Sequence, residues 1–145
     1  MKNSFLTSVQ KSFAIILFAM TFSLSAFAQN SNLQGVSLHA TELTYDLESD
    51  EKIKENQIFS FSFKDKVFVH HLMEGDMVAQ VYSIVNVDYT TYDGFVNYKT
   101  TVKSGISGSE YVYNVFVLDA DNSVIVEYDG SYYFGTSCFI RSFKQ

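Results

Sequence analysis

From residue 36 onward, apolar and polar side chains alternate with a period of two, and short polar turns interrupt the alternation every few residues. A helix would need an apolar stripe at every third or fourth position, so this pattern commits the chain to strands. Val36, Leu38 and Ala40 alternate with Ser37, His39 and Thr41, and Phe59, Phe61 and Phe63 alternate with Ser60 and Ser62. Further strands are predicted at Val67–Leu72, Met77–Tyr89, Phe95–Val102, Tyr111–Leu118, Val124–Tyr128 and Tyr132–Phe143. Turn residues separate them, among them Lys64-Asp65-Lys66, Glu74-Gly75-Asp76, Asp93-Gly94 and Asp129-Gly130. The charged stretch from Glu48 to Asn56 reads equally as a loop or a short helix.

Eight strands with such short connections must pair antiparallel with their sequence neighbours. The expected fold is all-β: an up-and-down barrel, with a small two-sheet sandwich as the alternative. High Tyr, Phe, Val and Thr agree with strands, and the chain has no Pro to mark an edge.

The N-terminus follows a different pattern. Lys2 and Lys11 flank a basic start, an apolar run extends from Phe13 to Phe22, and Ala26-Phe27-Ala28 follows. This is the layout of a cleavable bacterial secretion signal with scission between Ala28 and Gln29. The apolar run is shorter than the roughly 20 residues a spanning helix needs, so no stable membrane anchor is expected after processing. Residues 1–28 are thus read as signal peptide and 29–145 as a single β domain, secreted or periplasmic.

Processing would remove two of ten basic residues and none of sixteen acids, taking the net charge from −6 to −8. A domain so acidic repels phosphate backbones, which argues against nucleic acid as a partner. Cys138 is the single cysteine, so no internal disulfide can form, and its strand setting reads as a small buried hydrophobe.

Other motifs resolve into bland features. His70 and His71 are adjacent on a strand and point to opposite faces, so they cannot chelate one ion together; they read as surface imidazoles. Asp119, Asp121 and Ser123 copy the start of a calcium loop, but Val124 and Gly130 occupy the positions where the loop needs Gly and Glu. Gly105-Ile106-Ser107-Gly108-Ser109 lacks the strand-to-helix setting of a serine nucleophile and reads as a turn. No cofactor, metal or catalytic residue is expected.

Across residues 36–143 the layout is similar to the calycin superfamily, lipocalins and avidins among them, in strand count and loop length. Where lipocalins carry Gly-x-Trp, this chain has Gly35-Val36-Ser37. The resemblance implies a ligand cavity inside a barrel. Phe59, Phe61, Phe63, Val67, Val69, Tyr82, Tyr111 and Tyr113 are the residues expected to line it, around a small apolar ligand.

Two strands are apolar on both faces. Met77, Ala79, Val81, Val85 and Val87 form one side of the strand from Met77, opposite Val78, Tyr82 and Ile84. Tyr111, Tyr113, Val115 and Val117 likewise oppose Val112, Phe116 and Leu118. If one face is the core, the other needs a cover: the segment at 48–56, a second subunit or a partner. The sequence therefore supports a non-enzymatic binding protein, or an interaction module acting through Met77, Ala79, Val81, Val85 and Val87.

Overall fold

A computed structural model describes residues 33–72 and 78–141. The signal segment, the Ala28–Gln29 junction and Met77 lie outside the described residues. The eight strands are β1 (Leu33–Thr44), β2 (Ile53–Ser62), β3 (Val67–Leu72), β4 (Val78–Tyr92), β5 (Phe95–Ser104), β6 (Glu110–Leu118), β7 (Val124–Tyr128) and β8 (Ser131–Arg141). Each pairs antiparallel with its sequence neighbour, and β8 returns to pair with β1, so the sheet closes as a barrel and the sandwich is excluded. Closure pairs residues about as far apart as Leu38 and Ser137, a contact that no local pattern encodes.

The turns follow their chemistry. Tyr128 pairs with Ser131, leaving Asp129 and Gly130 as a two-residue loop with φ of 49° and 75°. Both values are left-handed, the geometry whose twist matches a β-hairpin and which Asp-Gly tolerates. Asp121 accepts from the Ser123 amide at 2.9 Å, so the calcium-like motif is a side-chain-closed turn. The Gly105–Ser109 segment is also a turn: Ser104 Oγ accepts from Ser107 N at 3.2 Å, and Gly108 has φ 71°. The charged stretch after Thr44 contains no helix; it is a loop through Lys52, after which β2 begins at Ile53.

The barrel interior is filled by side chains. Val36, Leu38, Phe59, Phe61, Phe68, Val102, Tyr113, Val115 and Val126 form its buried centre. Phe61 stacks on Phe68 with centroids 4.4 Å apart, and Phe68 meets Tyr113 at 4.6 Å, so aromatic rings span the lumen from β2 and β3 to β6. Eight strands leave an interior about wide enough for such packing.

A second apolar cluster lies on the outside of the barrel wall. Phe95, Leu118 and Ile125 are buried there by Tyr92, Phe116, Tyr132 and Phe134. Lys52, at the end of the β1–β2 loop, sits 5.2 Å over the Phe134 ring and pairs with Glu42 at 3.3 Å. The outward residues Phe116 and Leu118 thus find cover within the chain, part of it from the charged loop acting without a helix. An amide ladder borders this cluster: Asn97 Nδ2 donates to Asn114 Oδ1, and Asn114 Nδ2 donates to Glu127 Oε2 at 2.7 Å.

Bulges reset which face a strand presents. The register shifts between Ala40 and Glu42 in β1, and between Ile84 and Asn86 in β4. Past the second bulge, Val87 pairs with Thr100, which is fully buried, and packs on the inner core. Its expected place on the outer face with Val85 is therefore corrected: one inserted residue exchanges inside for outside.

Gly135 sits opposite Ala40 beside the β1 bulge, and a Cβ there would overlap the carbonyl group of His39. Gly35 is similarly constrained, since a Cβ would lie 2.7 Å from the Phe61 carbonyl oxygen. These glycines allow the backbones to approach closely where the sheet bends.

Candidate functional site

One end of the barrel gathers tyrosines. Antiparallel order brings the start of β4, the start of β6 and the end of β7 to the same rim, placing Tyr82, Tyr111 and Tyr128 side by side. Tyr82 and Tyr111 meet edge to face at 5.8 Å, and Tyr111 meets Tyr128 at 6.5 Å with 69° between the rings. All three are partly exposed. Beneath them Tyr113 is buried and stacked on Tyr128 at 4.3 Å and 12°.

The floor of this mouth is polar on one side. His70, on β3, faces inward and stacks on Phe59 at 4.5 Å; its Nε2 donates to Gln57 Oε1 at 2.5 Å. Gln57 and Ser131 lie close enough to the Tyr133 hydroxyl to lower its pKa against the rise from burial. Tyr82 donates to Gln80 Oε1 at 2.6 Å. The rim therefore offers ring faces and edges together with amide and hydroxyl groups.

Burial shapes the protonation states. The imidazole of His70, only 7% exposed, is pushed down to about 4, by burial and then by neighbouring His71, with Glu55 opposing. It is neutral at neutral pH. Burial also raises the phenols of Tyr82, Tyr113, Tyr128 and Tyr133; Asp129 adds to the shift at Tyr128 and Glu55 to that at Tyr133. These hydroxyls stay protonated and act as neutral hydrogen-bonding groups.

The expected lining residues divide between the two faces. Phe59 and Phe61 are buried in the packed centre, and Phe63 packs at the opposite end, stacked on Tyr98 at 5.3 Å. Tyr82, Tyr111 and Tyr113 come together at the mouth. Val67 and Val69 do not join them: they alternate with the inward Phe68 and His70 and stand on the outer wall. Pairing Phe61 with Phe68 fixes that choice, because the opposite register would bury the valines and expose a phenylalanine. The reading of His70 as a surface imidazole is also corrected, whereas His71 faces outward.

On the outer wall, Val81 and Val85 are 63% and 52% exposed, and Ala79 is exposed beside them. Val81 lies directly opposite Val69. Cys138 is exposed on the outside of β8, opposite Ser37, because the inward positions there are Tyr133, Gly135, Ser137 and Phe139. His39 also faces outward, bonded to Asn56 at 2.8 Å, far from any shared site with His70. Among the described residues no group of three or more His, Cys, Asp or Glu is placed to hold a metal ion.

Sequence reasoning missed Gln57, Gln80 and His70 as mouth residues. Period-two spacing from Phe59 reaches Gln57, and spacing from Phe68 reaches His70, so the signal was available once polar side chains were allowed at a barrel end. The fold is a closed eight-stranded up-and-down β-barrel with a packed lumen and a tyrosine-rich end. No protein family, curated protein or solved structure matches the chain.

Proposed function

We propose that this chain is an exported, non-enzymatic binding protein whose ligand sits at the tyrosine-lined mouth rather than deep in the barrel. The observation that carries the reading is the convergence of Tyr82, Tyr111 and Tyr128 from three strands at one partly open end. Aromatic side chains with polar tips suit a surface that must hold an apolar body and remain wet. The packed rings of Phe61, Phe68 and Tyr113 below leave the mouth as the place for a small ligand with an apolar face. Export rests on the N-terminal pattern ending at Ala28.

The test is saturable binding. Fatty-acid, polyene and aromatic amphiphile probes are titrated into purified protein while tyrosine ring resonances are followed. The expected result is saturation with perturbation confined to Tyr82, Tyr111, Tyr113 and Tyr128, lost in Tyr111→Ala. Saturable binding with no response at these rings, or no binding of any small molecule, sinks the reading.

A second reading, a protein–protein interaction module, is favoured by the outward exposure of Val81 and Val85 beside Ala79. A monodisperse monomer whose Val81→Lys variant matches the parent in solubility and partner capture counts against it.

A further inference from the structure

We propose that the mouth selects a small organic cation, an ammonium group bearing apolar substituents; this deepens the reading of the mouth as the binding site and rests on it. The first support is geometry. The rings of Tyr82, Tyr111 and Tyr128 meet at 75° and 69°, so their faces are directed differently and a group among them meets more than one π-system. A cation within about 6 Å of a ring centroid is attracted by the negative ring face, and the attraction grows as water is excluded.

The second support is the distribution of charge. Asp129 adjoins Tyr128 in the β7–β8 turn, and the carboxylate of Glu55 lies close enough to act on both Tyr133 and His70. His70 is neutral and does not offset them. Of the described lysines, Lys54 adjoins Glu55 at the start of β2 and lies opposite Glu42 of β1. Lys52 is engaged with Phe134 and Glu42 on the outer wall. Lys99 and Lys103 alternate with the inward Tyr98, Thr100 and Val102 of β5 and stand on the outer face, Lys103 level with the rim and paired with Ser83 and Glu110. Lys64 and Lys66 lie in the β2–β3 turn, where the Lys66 carbonyl accepts from Ile84 N at 2.9 Å. An end walled by tyrosines and edged by the carboxylates of Asp129 and Glu55, with Lys99 and Lys103 on the outer face of the wall, attracts positive charge.

The third support is what the hydroxyls can do. Tyr82 spends its proton on Gln80 Oε1. Its phenol oxygen keeps lone pairs, so the mouth carries an acceptor as well as ring faces. An ammonium group suits that inventory better than a carboxylate.

The experiment compares choline with its uncharged carbon isostere, dimethylbutanol, and with a fatty-acid probe, by calorimetry and tyrosine ring NMR on the purified protein. Choline is expected to saturate and to shift Tyr82, Tyr111 and Tyr128, with the neutral isostere binding at least about tenfold more weakly. Tyr111→Leu should weaken choline roughly fivefold, whereas Tyr111→Phe, which keeps the ring, should bind as the parent does. Amide NMR dispersion checks that each variant is folded, and Tyr128→Leu replaces Tyr111→Leu if that one is not. Equal affinity for choline and the isostere overturns the cation inference and leaves the mouth reading standing, as does fatty-acid binding at these rings without choline binding. No response at the mouth to any of the three probes overturns both.

Discussion

His70 donates from Nε2 to Oε1 of Gln57 at 2.5 Å, tying the one inward imidazole of β3 to a glutamine of β2 at the base of the mouth. The ring is stacked on Phe59 and lies 6.1 Å from Phe68, so a proton on it would place a cation against an apolar floor. That arrangement makes the fold sensitive to acid.

The sign of this sensitivity follows from where the proton goes. Above an ordinary histidine value of about 6.5, His70 is neutral in both folded and unfolded chains and adds no pH dependence. Between about 6.5 and about 4 the unfolded chain binds a proton that the folded barrel refuses, so stability falls as pH falls. Below about 4 both states are protonated and the loss levels off. The loss is on the order of 2–3 kcal/mol. Denaturant unfolding at pH 7 and pH 4.5 should show it, and His70→Phe, which keeps a ring against Phe59, should remove most of the difference. An unchanged slope in that variant would show that carboxylates elsewhere are responsible.

Tyr113 carries the link between core and mouth. It is buried, stacked on Tyr128 and in contact with Phe68. Tyr113→Phe keeps the ring in the stack and should cost no more than about 1 kcal/mol in thermal or denaturant unfolding. Tyr113→Ala opens a hole in the ring stack and should cost about 3–5 kcal/mol. If the two variants were equally stable, the stack could not be what fills the lumen.

Gly135 should tolerate no side chain. Its Cβ would overlap the His39 backbone, and backbone cannot move aside without disturbing the β1–β8 seam that closes the barrel. Gly135→Val should cost about 3 kcal/mol or more, or prevent folding. Gly105→Val has open space around it and serves as the control, expected to stay close to the parent. Parallel unfolding curves of the two variants check the contrast.

Much of this barrel is legible in local sequence, and what is not has a physical reason. Phe59 and Phe61 alternate with serines and face inward as that pattern demands, and Asp129-Gly130 forms the hairpin turn its residues favour. Val67 and Val69 are ambiguous in isolation, because β3 also carries Phe68 and Leu72 on the other parity; only pairing with β2 decides between them. His70 looked like a surface residue because its burial depends on Phe59 and Gln57, which arrive from another strand. The mouth itself is assembled from β4, β6 and β7, so its tyrosines are neighbours only after the barrel forms.

The bulge in β4 gives the sharpest test of that distinction. Val85 and Val87 are two residues apart, which in an unbroken strand puts both on one face. Here the register shift between Ile84 and Asn86 leaves Val85 52% exposed and turns Val87 toward the core beside Thr100. Val85→Asp should therefore change stability by no more than about 0.5 kcal/mol, as exposed substitutions do. Val87→Asp would bring a carboxylate toward the buried side and should cost about 3 kcal/mol or raise that acid's pKa. Equal tolerance at both positions would mean that β4 runs without the bulge, and the outer apolar surface would then extend from Val81 through Val85 to Val87.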